Sequence, residues 1–143
     1  MVKIDIDYLG NLHCRLRHGP SGAEIATDAP KDNQGKGEAF SPTDLVAAAL
    51  GSCMATVMGI VAQRHKIDLA GMKIEVVKEM AQAPARRIGR LTVTIAMPGD
   101  LPPDRRDMLK RAEESCPVYK SLAPETLVET SFHWPEGERV TGT

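Results

Sequence analysis

Val2, Ile4, Ile6 and Tyr8 alternate with Lys3, Asp5 and Asp7. That is the period of a strand with one buried face. Gly10-Asn11 marks a turn, and Leu12–Arg17 reads as the returning strand. Gly19-Pro20-Ser21-Gly22 is a second turn before a short strand near Ala23–Thr27. Residues 28–39 are polar and rich in breakers, which predicts a mobile loop.

The pattern then changes period. Ser41-Pro42-Thr43-Asp44 opens a helix: Ser41 caps free amides, Pro42 suits the first helical position, and Asp44 complements the positive helix end. Leu45–Ala62 carries no charge and nearly reaches membrane-spanning length. It is dominated by Ala, Gly, Ser and Thr, and Gln63, Arg64, His65 and Lys66 follow at once. A helix apolar on all sides is also what the centre of a soluble core requires, and the flanking strands need such a cover. Ala48, Gly51, Ser52, Ala55 and Gly59 would admit another element at close range. No membrane is expected as partner.

Alternation resumes over Met72–Met80, with Ile74, Val76 and Val77 inward, and again over Leu91–Met97. The two read as a hairpin. Asp104–Ser115 has helical period, with charge on one side and Met108, Leu109, Ala112 and Cys116 on the other. Thr126–Trp134 closes with a strand, His133 and Trp134 standing at its edge. The order β-β-β, long α, β-β, α, β predicts one α+β domain over 1–143 with antiparallel pairing, not a doubly wound sheet.

Composition removes several functions. Eighteen basic and nineteen acidic residues give a formal charge of −1, and aromatics are 3%. Neither a nucleic-acid backbone nor stacked bases find a matching surface. No glycine-rich loop follows a strand, so nucleotides and other cofactors are not indicated. No CxxC, HxxxH or HExxH is present, so no metal is expected. The N-terminus lacks the apolar run of a signal peptide, and a cytoplasmic location is the default.

The remaining candidates for chemistry are thiols. Cys53 lies among small residues in the apolar helix, and Cys116 ends the amphipathic one beside Pro117. Each alone reads as a small core hydrophobe. Two cysteines on two core helices can also meet, and such a pair in a reducing compartment is more often catalytic or redox-sensing than structural. Cys14, between His13 and Arg15, has no assigned part in dithiol chemistry.

Ser41-Pro42-Thr43-Asp44-Leu45-Val46-Ala47-Ala48-Ala49-Leu50-Gly51-Ser52-Cys53-Met54, together with Cys116-Pro117-Val118-Tyr119-Lys120-Ser121-Leu122, resembles the OsmC/Ohr family of osmotically induced and organic-hydroperoxide-resistance proteins. The resemblance covers essentially the whole chain. It implies an OsmC-like fold, with antiparallel sheets wrapped around two central helices in an intertwined homodimer. It also implies a thiol peroxidase for organic hydroperoxides in oxidative-stress defence, without metal, flavin or haem. Cys53 would be oxidised to a sulfenic acid, Cys116 would resolve it as a disulfide, and an external dithiol would reduce that bond. Burial raises a thiol above its free pKa of about 8.5, so a cation must offset desolvation.

In the family's hydroperoxidases an arginine does this, oriented by a glutamate ten residues before the first cysteine. Here that position is Thr43, with Asp44 one residue later and about 100° around the helix. Arg15 and Arg17 share one face of the second strand and are the thiolate-stabilising candidates, although strand arginines usually face solvent. These departures mark a divergent OsmC-like branch. Its alternative function is a non-catalytic dimer that senses redox state or binds an apolar ligand.

Overall fold

The computed structural model describes residues 1–135 with their side chains and the backbone of 139–142. The chain divides into two compact units, Met1–Val46 and Ala47–Thr143.

The first unit is a three-stranded antiparallel meander of β1 (Ile4–Gly10), β2 (His13–His18) and β3 (Glu24–Asp28), in that spatial order. Asn11 and Leu12 both take positive φ in the two-residue turn between β1 and β2. That backbone matches the twist of a tight hairpin. Register sorts the sheet by face. Asp5 and Asp7 stand opposite Arg17 and Arg15, which stand opposite Glu24 and Ala26. Ile4, Ile6 and Tyr8 share the other face with Leu16, and Ile25 lies opposite Leu16.

The 28–39 segment is a loop, as expected, and it carries local structure of its own. A 3₁₀ turn at Lys31–Asn33 is followed by amides tied back to the strand end: Gly37 N donates to Ala29 O at 3.2 Å, and Glu38 N to Asp28 Oδ2 at 3.0 Å. A Cβ on Gly35 would stand 1.7 Å from Ala29 O, so only glycine fits there.

Helix α1 (Pro42–Arg64) begins at a reciprocal cap. Asp44 N donates to Ser41 Oγ at 3.0 Å, and Ser41 N donates to Asp44 Oδ2 at 2.9 Å. Two otherwise orphaned amides are thereby satisfied.

The second unit holds most of α1 and a four-stranded sheet, β4 (Lys73–Ala81), β5 (Arg87–Ala96), β6 (Leu127–His133) and β7 (Arg139–Gly142), in that order. Helices α2 (Pro103–Glu114) and α3 (Pro117–Ser121) join β5 to β6. Ala47, Leu50, Met54, Met58 and Ala62 form one stripe of α1, and they pack in a single cluster with Leu91, Val93 and Ile95 of β5, Leu109 and Ala112 of α2, and Phe132 of β6. Gly51 permits the approach of β4: a Cβ there would lie 2.9 Å from Val76 Cγ2. Among the described residues α1 is long and apolar enough to cross a membrane. In this fold its stripe is the centre of the core.

Pairing is antiparallel between β1 and β2, β2 and β3, β4 and β5, and β6 and β7, but β5 and β6 run parallel. This corrects the all-antiparallel expectation. The chain leaves the end of β5, passes through α2 and α3, and returns to the strand's beginning. A crossover of that length gives parallel pairing. Two side chains also depart from their expected places. Val77 is exposed, whereas Trp134 is buried, stacked near Phe132 with the Arg106 guanidinium 4.8 Å over its ring.

Candidate thiol site

Cys53 sits on α1 one position before the buried Met54, so it is half-buried at the border of the helix's core stripe. Its polar neighbours need no outside partner: Ser52 Oγ donates to Ala48 O and Thr56 Oγ1 donates to Ser52 O, each at 2.8 Å. The surroundings of the thiol are therefore largely apolar.

Cys116 is fully buried. It stands at the corner where α2 ends and α3 begins. Pro117, which cannot donate an amide, takes the first position of α3, and Tyr119 N donates to Cys116 Sγ at 3.4 Å. Sequence reasoning did not name the Tyr119 amide. The signal for it was Cys-Pro at a helix start, where a capping side chain is in demand.

The fold brings the two cysteines into one neighbourhood: Cys53 packs against the core cluster that contains Cys116, its thiol is near enough to act on Cys116, and both are free thiols. Burial, and then the Cys53 thiol beside it, push Cys116 above the ordinary thiol value, while the Tyr119 amide pulls it down. Cys116 is thus held as a neutral thiol. Cys53 is the member of the pair with access to solvent.

The other expected site residues have partners of their own. Asp44 and Thr43 lie at the helix cap, with Thr43 Oγ1 3.2 Å from Ser41 Oγ. Arg15 donates to Asp7 at 3.0 Å and reaches Glu24 at 3.6 Å, and the Asp7 carboxylate holds its pKa above the ordinary guanidinium value. Arg17 is exposed, opposite Asp5 and Glu24.

Residues 35–131 match the family model for OsmC-like protein. Among solved structures, a protein from Psychrobacter arcticus provisionally described as an osmotic stress induced and detoxification response protein is 42% identical. The match covers 93% of this chain and 96% of that one, with a TM-score of 0.88. The organic hydroperoxide resistance protein OsmC of Legionella pneumophila is 19% identical over 92% of this chain and 96% of that one, with a TM-score of 0.70. OhrB of Bacillus subtilis, an organic hydroperoxide resistance protein, is 18% identical over 92% and 97%, with a TM-score of 0.68. The last two likenesses show a shared fold. No curated protein matches the chain.

Proposed function

This chain belongs to the OsmC-like protein family, and from that membership and the neighbouring thiols we propose that it is a thiol-dependent peroxidase for organic hydroperoxides. The observation that carries the reading is the proximity of the Cys53 and Cys116 thiols in the apolar core. Hydroperoxide-resistance proteins of the same fold support it.

The Cys53 thiolate attacks the terminal oxygen of the hydroperoxide. The O–O bond breaks, Cys53 becomes a sulfenic acid, and the alkoxide takes a proton and leaves as the alcohol. Cys116 then attacks the Cys53 sulfur, its proton leaves with the hydroxyl as water, and a disulfide forms. Neighbouring thiols can close to a bond of about 2.05 Å once one of them is oxidised. An external dithiol exchanges with that disulfide and restores both thiols. A buried, neutral Cys116 suits this order, because it does not compete for the oxidant.

The working form is a homodimer. Ile4, Ile6, Tyr8 and Ile25 leave an apolar sheet face exposed. Ala48, Ser52, Thr56 and Ile60 form an uncovered stripe of α1, and a Cβ on Gly59 would meet nothing within 4 Å. Each exposed apolar face calls for a partner, and a second copy would cover both. In the dimer the second copy supplies the strand arginine, Arg15 or Arg17, that keeps the Cys53 thiolate ionised.

Stopped-flow oxidation with cumene hydroperoxide tests the mechanism. The wild-type chain should lose two thiols per equivalent of peroxide. Cys53→Ser should consume none, and Cys116→Ser should stop at one added oxygen on Cys53. If the wild type loses thiols no faster than Cys53→Ser, the peroxidase reading fails. Unreactive cysteines together with a retained lipid in native mass spectrometry would point to the ligand-binding dimer instead.

A further inference from the structure

His13 opens β2 and Asp28 ends β3, and the register sets them directly opposite each other. Glu38 arrives from the tied-back loop. His13 Nε2 lies 3.5 Å from Asp28 Oδ1 and 3.9 Å from Glu38 Oε1, and the three atoms fall within 4.8 Å of one another. We propose that His13, Asp28 and Glu38 form a binding site for one divalent transition-metal ion of the zinc class.

Three observations converge on this. His13 Nδ1 is 2.7 Å from the carbonyl oxygen of Asn11. A carbonyl only accepts, so Nδ1 carries a proton and Nε2 is the ring nitrogen that faces the carboxylates. A backbone carbonyl on the far nitrogen is the usual support of a metal-binding histidine.

Asp28 is 1% exposed, yet among the described residues no donor meets its Oδ1 in hydrogen-bond geometry, while Oδ2 accepts from the Glu38 amide at 3.0 Å and the Ala29 and Lys36 amides lie near the carboxylate. A buried carboxylate oxygen left without a donor is costly unless a cation meets it. It is aimed at His13 Nε2 at a distance too long for a good hydrogen bond.

The distances also suit a cation. Ligands about 2.1 Å from a tetrahedral zinc are separated from one another by about 3.4 Å. The His13–Asp28 pair is already at that spacing. Glu38, whose side chain is 58% exposed, has the freedom to close the remaining gap. Calcium and magnesium prefer all-oxygen sets, whereas an imidazole with two carboxylates suits zinc and its neighbours, with a fourth position for water. Two ligands on paired strands and one on the loop make the ion a clip between loop and sheet. The site uses none of the thiols, so it stands whether or not the peroxidase reading does.

Calorimetric titration with zinc chloride tests it, on the wild-type chain, on Glu38→Gln, on His13→Gln, and on a chain with Cys14, Cys53 and Cys116 all changed to serine. Far-UV circular dichroism checks each fold. Glu38 is exposed, so its substitution leaves the fold intact even where His13→Gln perturbs it. The expected result is one equivalent bound per chain, weakened at least about tenfold by Glu38→Gln and by His13→Gln, and retained without the thiols. No binding, binding indifferent to Glu38→Gln, or binding lost only with the cysteines would overturn the site.

Discussion

The two units treat an amphipathic sheet differently. In Ala47–Thr143, the inner face of β5 meets α1 and α2, and Leu91, Val93 and Ile95 are wholly buried. In Met1–Val46, Ile4, Ile6, Tyr8 and Ile25 remain exposed, and the buried side chains are the polar Thr27, Asp28 and Ser41. Among the described residues, every buried apolar side chain lies beyond position 46. One unit carries its own core. The other, with three strands and no core, depends on cover from elsewhere, because a small sheet is marginal without a packed face.

The largest test of that contrast is a pair of substitutions. Leu50→Ala should cost about 2–5 kcal/mol in chemical denaturation at every protein concentration, since it opens a cavity in the core. Ile6→Lys combined with Tyr8→Lys should instead act on association. Sedimentation equilibrium should show the proposed dimer dissociating, with the unfolding midpoint losing its dependence on concentration. Equal losses of folding stability in both variants, with association unchanged, would remove the contrast.

The units also differ in how much of them the sequence revealed. Alternation placed β1 to β5 and β6 to within a few residues, because each has one face against something apolar or one face charged. The Ser41-Pro42-Thr43-Asp44 start was readable because capping is local chemistry. The second helix was readable from its period, but the pairing of Cys53 with Cys116 rested on family resemblance: no period relates positions so far apart. The parallel pairing of β5 and β6 depends on where a crossover lands, which composition does not encode. The five-residue α3 is too short to show a period. His13, Asp28 and Glu38 match no spacing motif, since strand register and a folded loop bring them together.

Buried carboxylates sharpen the comparison at the next level of energy. Asp28 is held below the ordinary carboxylate range by the Glu38 amide foremost. Glu113 on α2 is pushed up by burial foremost, with Thr130 Oγ1 donating to Oε1 and, among the described residues, no donor at Oε2. At Asp28 the donors outweigh desolvation, whereas at Glu113 the single Thr130 donor does not. For Glu113 the folded chain holds its proton more tightly than the unfolded chain does. Its contribution is therefore fully present below the unfolded carboxylate pKa and is lost as pH rises through the raised folded value. Glu113→Gln should leave stability nearly unchanged in acid and raise it by about 1–3 kcal/mol at neutral pH. Urea denaturation across that range measures this. Destabilisation by Gln at neutral pH would show that the carboxylate is compensated by contacts beyond Thr130.

The smallest effect falls at the start of α1, the helix that runs from one unit into the other. Asp44 lies one residue from the position of the family's orienting glutamate, but its carboxylate accepts from Ser41 N at 2.9 Å while Ser41 Oγ accepts from Asp44 N at 3.0 Å. If that reciprocal cap is its whole role, Ser41→Ala and Asp44→Asn should each cost about 1 kcal/mol of stability. The rate of Cys53 oxidation by cumene hydroperoxide should then stay within about twofold of wild type, because a fraying first turn lies more than two helical turns before the thiol. A rate loss in Asp44→Asn that Ser41→Ala does not share would instead give Asp44 the glutamate's task, and would tie the charged unit to the thiol chemistry of the apolar one.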